Sequence, residues 1–207
     1  MSEDVLLDLA DGVATVTLNR PERLNTLAIE TVDRLVSRLH EAAASPARVV
    51  VLAGAGRVFC AGADQAEMVS RAATDWEPIV RRYLDPIRAI VGLEKPVIAA
   101  LHGDAVGGGF GLAMACDLRI AAASARVGAP FTRIGLAGCD MATGWFLPRL
   151  VGLGAASELM FTGRLVAAAE AREIGLLHRV VPDAELRDEV ARWAQQLASG
   201  PPIAQRW

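Results

Sequence analysis

The residues best placed to do chemistry are main-chain ones. In the stretch KPVIAALHGDAVGGGFGLAMACD (95–117), a Lys-Pro break opens an apolar run, 97–101, long enough for a buried strand. His102, Gly103 and Asp104 then make a turn, and three glycines follow in a row, Gly107, Gly108 and Gly109. Residues 110–116 are small and apolar, as in a tightly packed helix. A strand, a glycine turn and a buried helix start leave backbone N–H groups unpaired and aimed at a ligand. Glycine has no Cβ, so that ligand can come against the backbone. Such donors suit a phosphate or a developing oxyanion. The spacing is not G-x-G-x-x-G, because Leu112 stands where the last glycine would fall, and no Gly-Lys-Ser/Thr follows as in a P-loop. The other reading is that the glycines only permit close helix packing.

A second glycine-bearing turn, GAGRVFCAGAD (54–64), follows another apolar run at 48–53. Ligands of such sheets bind beyond the carboxyl ends of the strands. Two turns of this kind could each give one N–H to a single site, or the second could be an ordinary strand-to-helix connection. Among side chains, Asp140 can cap the helix that follows. Asp64 reads as a helix cap or a ligand contact, and Asp117 as structural. His102 and Asp104 could orient the turn before the glycines. Cys60 lies in the second glycine-bearing turn and Cys139 beside Asp140, but no His is placed by sequence to activate a thiol. Glu67 reads as a solvent-facing helix residue.

These residues need a scaffold of strands and helices. The chain has 207 residues, is 53% hydrophobic and carries a net charge of −3. That is ample for a core, and the lack of a basic block gives no reason to expect nucleic acid. The acidic start, MSEDVLLDLADG, has no basic n-region and does not read as a targeting peptide, and no apolar run has membrane-spanning length. The three cysteines are widely spaced, form no metal pattern and point to reduced thiols in a cytoplasmic protein. Runs at 5–9 and 13–18 flank Asp11-Gly12, a hairpin signal. A helix runs to about residue 43, with Val32, Leu35, Val36 and Leu39 at helical spacing. Another spans 76–91. Short strands are expected at 118–122 and 126–127, with helices near 143–150, 155–161, 167–174 and 184–198. Gly163 and Gly175 serve as stop signals. The order of strands and helices argues for an α/β architecture.

With both turns and their spacing in place, the chain resembles the crotonase superfamily, the enoyl-CoA hydratase/isomerase family. The matching segments are NRPERLNTL (19–27), VFCAGAD (58–64), KPVIAALHGDAVGGGFGLAMACDLRIAA (95–122), IGLAGCD (134–140), LPRLVG (147–152) and FTGRLVAAAEAREIGLLHRVVP (161–182). The resemblance implies a crotonase-like ββα spiral core over residues 1–182, with 183–207 opening a C-terminal helical region that is incomplete. It implies assembly as a homotrimer or a dimer of trimers, an acyl-CoA thioester as substrate, and no cofactor other than the CoA that the substrate carries. By residue matching, the N–H groups of Ala63 and Gly108 form an oxyanion hole, while Arg23, Leu24, Ala61, Asp64 and Gln65 line the CoA groove. The two glutamates of the family's hydratases fall at Gly111 and Phe131, so both carboxylates are absent. Asp140 matches an aspartate that dienoyl-CoA isomerases of the family place in the active site. Hydration or double-bond isomerisation of an enoyl-CoA is therefore expected, the alternative being a crotonase-fold protein that binds acyl-CoA without turnover.

Overall fold

The computed structural model describes residues 3–69 and 76–205. Asp11 and Gly12 have φ of 50° and 77°, both left-handed, as a two-residue hairpin turn demands. They join β1 (Val5–Ala10) to β2 (Val13–Leu18) in an antiparallel pair. From β2 onward the large sheet is parallel: β3 (Val49–Gly54), β4 (Val97–Leu101), β6 (Leu118–Ala122) and β9 (Arg179–Val181) follow in the order β1-β2-β3-β4-β6-β9. A second, small sheet holds β5 (Ala105–Val106), β7 (Arg126–Gly128) and β8 (Val166–Ala167) in the order β5-β7-β8. Two isolated bridges, Cys60 with Ala105 and Leu27 with Ala63, carry this layer toward the N-terminal turns.

Chain order then repeats. β2 leads through Leu27 to α1 (Ile29–Ala44), and β3 leads through residues 60–63 to α2 (Gln65–Val69). β4 leads through β5 to α4 (Gly108–Ala115), and β6 leads through β7 to a 3-10 turn, Pro130–Ile134. Strand, short strand, helix is the ββα spiral. α3 (Trp76–Val91) packs against α1 and α4.

Alternate residues of β3 explain why it reads as an unbroken apolar run. Val50 and Leu52 join the main core with α1 and α4, while Val49 and Val51 face the other way, toward α7 (Leu186–Ala198). A parallel strand covered on both faces needs apolar residues throughout. α7 lays Leu186, Val190 and Ala194 on that outer face.

α5 (Thr143–Thr162) joins the two helices expected at 143–150 and 155–161; Gly152, at φ 77° and ψ 162°, breaks its axis. Gly163 ends it at φ 59°, and Gly175 follows α6 (Ala168–Glu173) at φ 83°, so both stop signals are real. β5, β8 and β9 have no counterpart among the expected strands. At two or three residues they are too short to leave a period, and pairing with neighbours recruits them. Among the described residues no helix is long and apolar enough to cross a membrane.

Candidate active site

The two glycine-bearing turns meet. Leu27 donates to the carbonyl of Gly62 at 2.8 Å, and Asp64 donates to the carbonyl of Leu27 at 3.0 Å. In that parallel bridge the N–H of the residue between them, Ala63, points away from Leu27. On the other turn Gly107 has φ 57° and ψ −118°, a conformation that a residue with a Cβ avoids. Its own N–H bonds to the carbonyl of Gly128 at 2.9 Å, and the next residue, Gly108, opens α4. The turns are so close that a Cβ on Gly62 would stand 3.2 Å from the nitrogen of Gly108. Among the described residues neither the Ala63 nor the Gly108 amide has an acceptor. Both residues line a cavity of about 180 Å³.

Most of the remaining lining is apolar, the polar side chains among the described residues being Gln65, the Tyr83 hydroxyl and Asp140. Tyr83, Phe131, Ile134, Leu136 and Met141 contribute rings and alkyl groups. Asp140 is the sole carboxylate among the described residues that line it. Its Oδ1 accepts the N–H of Met141 at 2.7 Å, and its Oδ2 has no partner among the described residues. The expected cap role does not hold. Ala142 occupies the N-cap of α5 at φ 60°, and it is the main-chain oxygen of Asp140, not the carboxylate, that takes the Thr143 N–H at 2.9 Å.

The other expected residues divide into two groups. Ala61 and Gln65 line the same cavity, Leu24 receives the Ala61 N–H on its carbonyl at 3.1 Å, and Arg23 stands exposed beside it. Asp64 is not among the residues that line that cavity, and the cap expected of it is present. Its carboxylate caps α2 through the Ala66 N–H (3.2 Å), accepts the Thr26 hydroxyl (3.1 Å) and pairs with Arg20 at 3.6 Å. Glu67 is not simply solvent-facing either, since its Oε2 accepts the Ile29 N–H at 3.0 Å and so caps α1. Asp104 pairs with Arg126 at 2.6 Å, while its main-chain oxygen accepts the amides of Phe59 and Cys60, tying the two turns together. His102 contacts the carbonyl of Gly56 at 3.0 Å, outside the cavity, and burial lowers its pKa. Asp117 accepts the Val97 N–H at 2.7 Å, a structural task. The Cys60 thiol is fully buried, which pushes its pKa up to about 12 and removes it as a nucleophile.

Two residues matter more than their sequence context suggests. Asn25, 1% exposed and left-handed at φ 52°, accepts the Arg20 N–H and donates to the carbonyls of Ala55, Val58 and Phe59 at 2.8 to 3.1 Å. It pins the turn that carries Ala63. The available signal is the residue type, since asparagine visits the left-handed region more readily than other residues with a Cβ. Arg119, 2% exposed, donates to the carbonyls of Ala113 (3.2 Å), Met114 (3.4 Å) and Cys116 (2.5 Å), closing the C-terminal end of α4, and to Leu176 at 2.8 Å.

Residues 8–207 match the profile of the enoyl-CoA hydratase/isomerase family. The chain belongs to that family. It is 38% identical over 205 residues to the short-chain-enoyl-CoA hydratase of Clostridium acetobutylicum, a match that covers 97% of this chain and 77% of the relative. The crystal structure of an enoyl-CoA hydratase from Bacillus anthracis superposes with a TM-score of 0.95 at 37% identity, covering 99% of this chain and 80% of that one. A monofunctional enoyl CoA isomerase from M. smegmatis superposes with a TM-score of 0.84 at 39% identity, covering 99% and 89%. One fold thus carries proteins named for either reaction, so the fold does not select between them in this family member. The selection rests on side chains. Where the resemblance puts the two hydratase glutamates, this member has Gly111 and Phe131. Phe131, 6% exposed, closes the cavity with its ring 3.6 Å from the place where a Cβ on Gly107 would sit.

Proposed function

We propose that the protein isomerises a double bond in an enoyl-CoA thioester. The thioester oxygen sits between the amides of Ala63 and Gly108. Asp140 takes the α-proton of a 3-enoyl chain, and the electron pair delocalises onto that oxygen as an enolate. The protonated Asp140 returns the proton to the γ-carbon, leaving the double bond between the α- and β-carbons. No atom is gained or lost, and no second acid or activated water is needed. Each fixed amide in such a site contributes about 3–4 kcal/mol in acyl-transfer examples. A single positioned base adds about 10²–10⁴-fold. Arg23, Leu24, Ala61 and Gln65 border the path of the CoA moiety.

The observation that carries this reading is one carboxylate oxygen of Asp140 in a mostly apolar cavity with the amides of Ala63 and Gly108, none of the three having a partner among the described residues. Hydration calls for one group to activate water and another to handle the α-proton, and the described lining offers a single carboxylate. The proposal includes a cytoplasmic location and assembly as a homotrimer or dimer of trimers. The exposed apolar side chains Trp145, Leu153 and Phe161 on α5 favour contact with further copies, and sedimentation tests it. The deciding experiment measures hydration of crotonyl-CoA and isomerisation of a 3-enoyl-CoA side by side. Isomerisation without hydration is expected. Binding of both thioesters with no turnover of either would reduce the site to a binding groove.

A further inference from the structure

A side chain at position 111 has no room. Gly111 lies in the first turn of α4, and a Cβ there would stand 2.8 Å from the carbonyl oxygen of Met141, 3.2 Å from the Met141 Cβ and 3.3 Å from Ile87 Cδ1. Cβ atoms essentially never come within 3.0 Å of such an atom, so something would have to shift. The loop that ends at Ala142 therefore touches α4 main chain to main chain. Met141 makes that contact at φ 48°, and Ala142 follows it at φ 60°. Left-handed residues with a Cβ are strained by about 1–3 kcal/mol each and persist where their surroundings over-determine them. Asp140 hangs directly on this contact. Its Oδ1 holds the N–H of Met141, which leaves Oδ2 without a partner at the cavity.

We infer that Gly111 is a positioning residue for Asp140: the missing side chain lets Met141 seat on α4, and that seat sets the carboxylate against the cavity. The inference rests on the proton-carrying role proposed for Asp140. It has a consequence for the reaction. A carboxylate brought in at position 111 displaces Asp140 rather than joining it, so the cavity accommodates one acid or the other.

Gly111→Ala tests this. Alanine favours a helix by up to about 1 kcal/mol over glycine, so unwinding of α4 is not a route to lost activity. Displacing a reacting group by an ångström costs up to about 10²-fold. We expect kcat for 3-enoyl-CoA isomerisation to fall at least about tenfold with KM within about threefold. We also expect Gly111→Ala/Asp140→Asn to be no slower than Asp140→Asn alone, since both changes disable one group. Gly154→Ala, at a glycine with nothing within 4 Å of its Cβ position, is the control and keeps the parent rate. If Gly111→Ala is insoluble, the same change is made on Met141→Gly, where the loop yields freely, and a loss of at least about tenfold relative to Met141→Gly alone is expected. A parental kcat for Gly111→Ala beside an impaired Asp140→Asn overturns this inference alone, as do losses that multiply in the double variant. A parental kcat for Asp140→Asn overturns the proposed isomerase chemistry, and this inference with it.

Discussion

One wall of the cavity, residues 60–63 and 105–108, is stitched together by bridges and main-chain hydrogen bonds, and its Ala63 and Gly108 amides have no acceptor among the described residues. The opposite wall, 130–142, hangs on a 3-10 turn and three left-handed residues, Gly135, Met141 and Ala142, and much of it is exposed. The first wall offers fixed dipoles, and the second offers a titratable group. Stabilising charge in a transition state works best from donors that need no reorganisation, which suits a ladder. A proton carrier must reach two carbon atoms of a bound chain, which suits a side chain on a less regular segment. The contrast extends to the two aspartates beside the cavity. Asp64 has both oxygens engaged by protein groups, whereas Asp140 keeps one oxygen unpartnered.

The sharpest way to break this division is Asp140→Asn. It should lower kcat for isomerisation by about 10²–10⁴-fold while the Kd for a CoA thioester, measured by calorimetry, stays within threefold of the parent by our estimate. A large loss of binding would mean that the two walls do not act separately. Gly107→Ala attacks the other wall, because alanine avoids φ 57° with ψ −118° and the Gly108 amide would turn aside. A loss of about 10²–10³-fold in kcat is expected from steady-state kinetics, the cost of one oxyanion donor. Arg119→Met leaves several buried carbonyls at the end of α4 without a donor. Stability should drop by about 3 kcal/mol in urea, since each unsatisfied buried group costs about 1–3 kcal/mol. Asp64→Ala removes a cap and should cost about 1 kcal/mol, with kcat nearly unchanged. A collapse of kcat there would put Asp64 back at the site.

The last effect is a pH dependence. Burial, together with the charges of Arg119 and Arg172, lowers the His178 pKa from 6.5 to about 4, and its Nδ1 accepts the Arg119 N–H at 3.1 Å. The unfolded chain thus binds a proton between pH 6.5 and 4 that the folded chain does not. Stability should be fully present above pH 6.5 and decline as pH falls toward 4. His178→Gln should flatten this part of a Tm-against-pH curve, and an unchanged slope would remove His178 as its source.

How much the sequence discloses follows the same division. The Asp11-Gly12 hairpin, the apolar strands of the large sheet and the glycine triplet are legible because each rests on a local rule about Cβ or burial. The wall from 130 to 142 is not. Nothing in Met141-Ala142 announces two left-handed residues, and the packing of Met141 against Gly111 is visible only in the fold. Asp140 reads equally as cap or catalyst in the sequence, which does not fix whether α5 begins directly after it at Met141 or two residues later at Thr143. Asn25 and Glu67 were hidden for a similar reason: their partners lie 30 to 38 residues away along the chain. β8 and β9 exist through their neighbours and carry no period of their own.

The unpaired amides of Ala63 and Gly108 belong to the polymer rather than to any residue type. No codon change deletes a peptide N–H short of introducing proline, and mutation reaches these donors chiefly by disturbing the glycines that aim them. The acid–base groups around them have no such protection. A lineage built on this scaffold can therefore exchange the side chains around the cavity one substitution at a time while the two amides proposed to hold a thioester oxygen are inherited intact.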